Sequence, residues 1–367
     1  MKLKRGNCAI LILFACVQAK AQSANSVTLY GLIDAGVSYV SNEGGHSNLK
    51  FDDGIQVPNI LGLKGDEDLG GGVHAIFDLV SQFSVGTGAF VPGKGIFGRT
   101  ALVGVSSEQY GKLTLGNQYD FMTDGLFFGQ TDAALFVGGL YNFRAGPFTK
   151  IAIPYNPPYA GSFDWDRMSG QTVANSVKYQ SPSWGGFRIG ALYGFGGVPG
   201  SFGAGNSVST GLNYDRGPLG LAAAYTEVKY LQAAGTDIGI RNWGVGGHYN
   251  FGKLNATALF TTVRNTANGG AIEQIEVGSS YLVFPDLQLG ADYMYMKGNA
   301  FLDNNHAHQV TAAADYFLSK RSTVYAEAVY QRTNSGAHAL ISGVLDPSGM
   351  SSGSKQFIAR IGVQTKF

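Results

Sequence analysis

Charged side chains are scarce in this chain, and those with a regular setting stand alone among apolar neighbours. They make up 14% of the sequence, against about 25% in an ordinary soluble domain. Lys64, Lys178, Arg188 and Arg360 each take the polar phase of a stretch in which alternate residues are apolar. A cation so placed makes and breaks no bond. It sets a field, and fixed charges of this kind decide which ions pass a narrow place. A second set gathers in one long aperiodic segment, about 120–175. It comprises Asp120, Asp124, Asp132, Asp164 and Asp166 with Arg144, Lys150 and Arg167. Arg99 shares its phase with Ala101, Val103 and Val105, so alternation alone points it away from the other wall cations, unless a bulge reverses it.

Covalent chemistry finds less support. The six histidines are His46, His74, His248, His306, His308 and His338. His306 and His308 share one face of a strand and could hold a metal, but no third ligand stands at a fixed spacing, and structural zinc sites take four. Asp52-Asp53-Gly54 lacks the rest of a calcium loop. There is no G-x-S-x-G elbow, no H-E-x-x-H and no phosphate-binding loop. We therefore expect no enzyme, no metal and no cofactor, although a Ser/His pair across strands would leave no mark in a sequence. A formal charge of +1 offers nucleic acid no basic surface.

The elements that hold these charges must suit an unusual composition. Glycine supplies 54 of 367 residues, roughly double the usual ~7%. Tyrosine (19), phenylalanine (23) and tryptophan (3) make the chain too aromatic for disorder. The first 21 residues read as a cleaved secretory signal: Lys2, Lys4 and Arg5, then an apolar run Cys8–Val17, then Ala19-Lys20-Ala21. A lipoprotein reading of Leu13-Phe14-Ala15-Cys16 suffers from the bulk of Phe14. Losing this segment removes both cysteines and turns the balance from +1 to −3. Residues 22–367 are then expected to form one domain, with no apolar stretch long enough for a transmembrane helix.

That domain shows period two. At the end of the chain Phe357, Ala359, Ile361, Val363, Thr365 and Phe367 share one face, and Gln356, Ile358, Arg360, Gly362, Gln364 and Lys366 the other. Alternation over about 11 residues is a strand with one apolar face, long enough to cross a bilayer at a tilt. The pattern recurs at Phe187–Tyr193, Ser207–Asp215, Leu287–Tyr295 and Gln309–Leu318. Short connections rich in Gly, Pro, Asp, Asn and Ser alternate with longer ones, among them 41–54, 85–95 and 333–354. Sixteen candidate strands follow, with one exceptional insertion at about 120–175. The expectation is all-β: a sixteen-stranded antiparallel transmembrane β-barrel, because hydrocarbon leaves no partner for an open sheet edge. A secreted β-sandwich would have shorter strands and more surface charge.

Several segments resemble the Gram-negative general-diffusion porins. They include Ser26–Asp34, the stretch Gly62-Leu63-Lys64-Gly65-Asp66-Glu67-Asp68-Leu69-Gly70-Gly71-Gly72, Phe97–Val105, Gly111–Gly116, Asn175–Tyr179, Tyr249–Gly252, Leu318–Ser322 and the terminal Phe367. The matches run in order over nearly the whole mature chain. The resemblance implies a homotrimer in the outer membrane of a Gram-negative bacterium, in contact with its lipid. It implies Phe367 as a signal to the barrel-assembly machinery, and a third loop, here about 120–175, folded into the lumen. Asp120, Asp124, Asp132, Arg144, Asp164, Asp166 and Arg167 become constriction candidates, and Lys64, Arg99, Lys178, Arg188 and Arg360 wall candidates. Two departures stand out. Ile60 and Asn117 occupy positions where the family often has arginine. The expected function is passive diffusion of ions and small hydrophilic solutes with mild or no anion preference, the alternative being a channel specific for a sugar or small organic anion.

Overall fold

The computed structural model describes residues 25–91, 95–154, 164–232, 237–341, 346 and 348–367. The expected signal segment 1–21 and the loop residues Tyr155 and Tyr159 lie outside the described residues.

Alternating polarity becomes strand along the chain. The first half holds β1 (Ser26–Glu43), β2 (His46–Asp53), β3 (Ile60–Gly70), β4 (Val73–Phe83), β5 (Phe90–Val91), β6 (Thr100–Ser107), β7 (Gly111–Tyr119), β8 (Thr172–Gln180) and β9 (Phe187–Gly194). The second holds β10 (Ser207–Arg216), β11 (Leu219–Leu231), β12 (Asp237–Asn250), β13 (Leu254–Asn265), β14 (Ala271–Phe284), β15 (Leu287–Gly298), β16 (His306–Phe317), β17 (Ser322–Thr333) and β18 (Lys355–Lys366). Both β2 and β3 pair with β1, and both β5 and β6 pair with β4, so each couple makes one interrupted stave. The result is a closed antiparallel barrel of sixteen staves in a single sheet.

Closure is made by the two ends of the chain. β1 pairs with β18 from Leu32 opposite Lys366 to Val40 opposite Ile358. Beyond the ladder, Gly31 and Phe367 exchange both backbone hydrogen bonds at 3.1 Å. A side chain at Gly31 would meet the Phe367 ring and the Ile60 carbonyl, so the seam needs a glycine there.

The burial pattern is inverted relative to a water-soluble sheet. On β18, Ile361 is 68% and Val363 49% exposed, while Gln356 and Arg360 are 0% and 2% exposed. Leu212, Leu221, Val245, Val277, Leu289 and Val310 continue the exposed apolar surface. The apolar phase faces outward and the polar phase inward, the arrangement of a membrane barrel.

Two boundaries differ from the sequence expectation. The stretch 41–54 is mostly strand rather than a long connection, because Gly44 and Gly45 (φ 63° and 102°) turn the chain in two residues. The real break comes after it, where the Ile55 N–H donates to Asp34 Oδ1 (3.0 Å). The insertion also ends early, since β8 begins at Thr172.

Gly31→Val should jam the seam at a cost of about 1–3 kcal/mol. The readout is a smaller fraction of the heat-modifiable folded band on an unboiled gel, with Gly203→Val, at an exposed loop position where an added side chain meets nothing, as the unaffected control.

Candidate functional site

The wall is low where the long segment leaves it. β6 and β7 have 8 and 9 residues, against 12 to 14 in each strand from β12 to β18. The chain exits at Tyr119, and the Asp120 carboxylate accepts from the N–H groups of Met122 (2.9 Å) and Thr123 (3.3 Å). These open the short helical stretch Met122–Phe127 and need such a partner. The other Asp120 oxygen accepts from Arg167 Nε, and Thr123 Oγ1 donates to the Arg167 carbonyl (2.9 Å). The two ends of the segment are thereby clamped together. Arg167 also donates to Gln171 Oε1 (2.6 Å), and its backbone N–H donates to Asp164 Oδ1 (3.1 Å). Burial and the neighbouring Asp166 push the Asp164 carboxyl up to about 7.

A second cluster fixes the middle of the segment to the far wall. Arg144 donates from both terminal nitrogens to Asp132 Oδ2 (2.6 and 2.7 Å) and from one of them to Glu276 of β14. Its Nε lies 3.3 Å from Asp166 Oδ2, which accepts from Thr261 of β13 (2.8 Å). Glu276 further accepts from the Ala133 N–H (2.7 Å). All four charged groups are buried. Between these anchors the segment lies flat on inward-phase glycines. A Cβ on Gly211, Gly246 or Gly290 would come within 2.6 Å of Phe121, Thr131 or Val137 respectively.

The segment reaches the seam at Tyr141. Its hydroxyl donates to Asp52 Oδ2 (2.5 Å) and stands 3.1 Å from Ser38 Oγ. Arg360 joins the same cluster, contacting Asp52 and donating to Asp34 Oδ1 (3.2 Å), Tyr325 Oη (2.8 Å) and Ser38 Oγ (3.1 Å). One guanidinium thus ties β1, β2, β17 and β18 together beside the loop tip.

A cavity of about 360 Å³ remains between the segment and the staves from β1 to β8. The segment contributes Asp124, Phe127, Phe128, Leu135, Leu140 and Phe143, and the wall Tyr30, Ile60, Asp78, Val80, Leu102 and Lys112, with Arg99 and Lys178. A second cavity, about 580 Å³, shares Asp124, Phe128 and Gln180 with it and adds Arg188, Asn213 and Asp215.

Of the seven loop residues singled out in the sequence, Asp124 lines the first cavity. Asp120, Asp132, Arg144, Asp164, Asp166 and Arg167 are buried in the clusters above and do not line it. Lys150 pairs with Asp303 at an exposed edge (2.8 Å). Lys178 is paired with Asp124 and donates to the Tyr119 carbonyl (2.7 Å), Arg188 is paired with Asp215 (2.6 Å), and Arg360 is sequestered at the seam. Lys64 is exposed, 5.5 Å over the Tyr30 ring. Arg99 precedes β6 at a bend, outside the alternation, and faces the cavity, donating to Gln82 Oε1 (2.5 Å) above the Tyr119 ring. Ile60 lines the cavity. Asn117 does not, because the register shifts between Gly116 and Gln118 and its amide donates instead to the carbonyls of Gly98 (3.2 Å) and Arg99 (3.4 Å). Sequence reasoning missed Lys112 as a wall cation, although it shares the polar phase of β7 with Thr114. Among the described residues neither Arg99 nor Lys112 has a carboxylate within salt-bridge distance.

A family model described as Gram-negative porin matches residues 8–336. An outer membrane porin protein of Bordetella pertussis is 31% identical over 286 residues, covering 70% of this chain and 69% of its own. Outer membrane porin protein 32 of Delftia acidovorans is 28% identical across the full length of both. Among solved structures, the anion-selective porin from Comamonas acidovorans superposes with a TM-score of 0.74 at 23% identity, covering 94% of this chain and all of that one. OmpT of Vibrio cholerae superposes with a TM-score of 0.64 at 15% identity, covering 95% and 100%. The chain belongs to the Gram-negative porins, which are outer-membrane channels.

Arg144→Met should leave Asp132, Asp166 and Glu276 buried without their cation, at about 3–5 kcal/mol. Protease cleavage between residues 120 and 171 should appear in the variant and be absent from the parent, and the unfolding midpoint in detergent should fall.

Proposed function

We propose that this porin is a passive channel for ions and small hydrophilic solutes with a modest preference for anions. The 120–171 segment lies in the bore and sets its narrowest section. The reading rests on the partners of that segment, which sit on the inward phase of the wall: Asn213, Thr261, Glu276 and Thr311. The two cavities that share Asp124 and Phe128 are successive parts of one wet path along it. The chain is exported by a signal cleaved after Ala21 and assembles as a homotrimer in contact with outer-membrane lipid. A solved relative of this fold, OmpT of Vibrio cholerae, is described in a trimer form. Phe367 at the seam directs the last strand to the barrel-assembly machinery.

The sign of selectivity follows from which lining charges lack a counter-charge. Among the described residues Arg99 and Lys112 are free cations, Asp78 is a carboxylate holding only the Tyr30 hydroxyl (2.7 Å), and Lys178 and Asp124 cancel. A small positive excess remains. The structural relative described as anion-selective is consistent with that sign. Ile60, standing where the family often has arginine, keeps the excess small.

In planar bilayers under a potassium chloride gradient, the reversal potential should report chloride ahead of potassium by about two- to fourfold, since one net charge about 10 Å from the path contributes about 0.4 kcal/mol in water. The ratio should fall toward one in 1 M salt, where screening shortens to about 3 Å. Ile60→Arg should raise it, and the pair Arg99→Ser with Lys112→Ser should carry it below one. Cation selectivity in the parent channel would remove the reading.

A further inference from the structure

We propose that the narrow cavity favours organic anions with a flat apolar body, of the aromatic monocarboxylate class, over more hydrophilic anions of smaller size. The inference rests on the cavity being part of the conducting path. It arises from a mismatch between lining and task. A passage for hydrated ions needs polar groups around it, since apolar constrictions dewet. Here Phe128 is 48% and Leu135 38% exposed at a cavity wall. Val57, Ile60, Val80 and Leu102 face them from the barrel.

The apolar side is ordered. The rings of Phe127 and Phe128 are 5.2 Å apart and tilted by 58°, and Phe127 and Phe143 are 5.4 Å apart and tilted by 49°. Phe143 is buried and backs the partly buried Phe127, while Phe128 keeps an open face, the setting in which a further ring packs edge-on or offset. The polar side adjoins it directly. Tyr119 lies 5.7 Å from Phe128, and the Arg99 guanidinium sits 5.5 Å over the Tyr119 ring. Arg99 commits Nη1 to Gln82 and also engages the Tyr119 side chain, and its remaining planar donors match a carboxylate. Lys112 supplies a second cation to the same cavity.

This combination discriminates among solutes. A sugar would need several hydroxyl partners, but Gln118 and Thr114 are bonded to each other (2.5 Å) and Tyr30 to Asp78. A neutral aromatic would gain nothing from Arg99. A small aliphatic carboxylate would gain the cation and leave the ring cluster bare. An anion with one carboxylate on a planar ring uses both, and a cavity of about 360 Å³ has room for it.

The test is bi-ionic reversal potentials of the purified full barrel in planar bilayers, with sodium benzoate, acetate and succinate. Benzoate should lead acetate by about 2–10-fold, the gain one aromatic contact supports, although free diffusion in water would order them the other way. Phe128→Ser should shrink that lead. Arg99→Ser should lower benzoate flux relative to benzyl alcohol in liposome swelling, with the folded gel band confirming both variants. Acetate ahead of benzoate in the parent channel overturns the inference and leaves the porin reading standing. Succinate ahead of both overturns it in favour of a diacid. Absence of conductance steps in potassium chloride removes the channel reading itself.

Discussion

Everything in this molecule depends on one constraint: a backbone N–H or C=O in hydrocarbon has no water to bond. A sheet can meet that demand only by having no edge. The first and last staves therefore must find each other, and they do so over nine residue pairs from Leu32–Lys366 to Val40–Ile358, extended by the Gly31–Phe367 exchange. Once the sheet is closed, the pleat has an inside and an outside, and period two sorts the chemistry. Through the middle of most strands leucine, valine and isoleucine face outward, while glutamine, asparagine, threonine and charged residues face inward. A slip of one residue at the seam would put Arg360 against acyl chains, so polarity also locks the register.

The inward face then has to be furnished, and here charge takes the part that apolar packing plays in a soluble core. The long segment is attached through cation–carboxylate contacts at three places: Arg167 to Asp120, Arg144 to Asp132 and Glu276, and Lys178 to Asp124. Most of these join residues far apart in the chain. Apolar contacts fill the gaps between them, with Phe148, Ile151 and Trp165 packed on Ile240, Val263, Ile272 and Met296. Buried ion pairs are weak sources of net stability but strong sources of specificity, because a misplaced segment leaves charges unpaired. That property suits a loop whose position must be reproducible.

Much of the fold was legible because its signal is local. The alternation on β9, β10, β15, β16 and β18 can be read from consecutive residues, and so can the turn glycines. Arg99 was legible only with the bend that precedes β6, which removes it from the phase of Ala101 and Val103. Asn117 stands off the cavity for a related reason: the shift at Gly116, with φ 137°, breaks the parity of β7 just before it. The partners of the loop charges were not legible at all. Arg144 and Glu276 are 132 residues apart, and no local pattern announces their contact. The inward glycines carried a faint signal, since Gly211, Gly246 and Gly290 stand at polar-phase positions where a side chain would be expected. At these positions the missing side chain makes room for the segment.

A census of charge therefore says little about the field in the passage. The chain carries near-equal numbers of cations and anions, yet most of those inside the barrel are spent on one another. An ion pair held a few ångströms apart presents a dipole whose effect decays quickly across water, while an unpaired cation acts over a Debye length. Asp120, Asp132 and Asp166 face Arg167 and Arg144 rather than the cavity, Asp124 is paired with Lys178, and Arg99 and Lys112 line the cavity without a carboxylate partner among the described residues. The same logic explains how an apolar ring cluster can stand in a wet channel. With most polar groups of the segment turned toward its anchors, what it turns toward the opening is chiefly Phe127, Phe128 and Leu135. The demand for a firmly held loop and the chemistry offered to a solute are two sides of one allocation of residues.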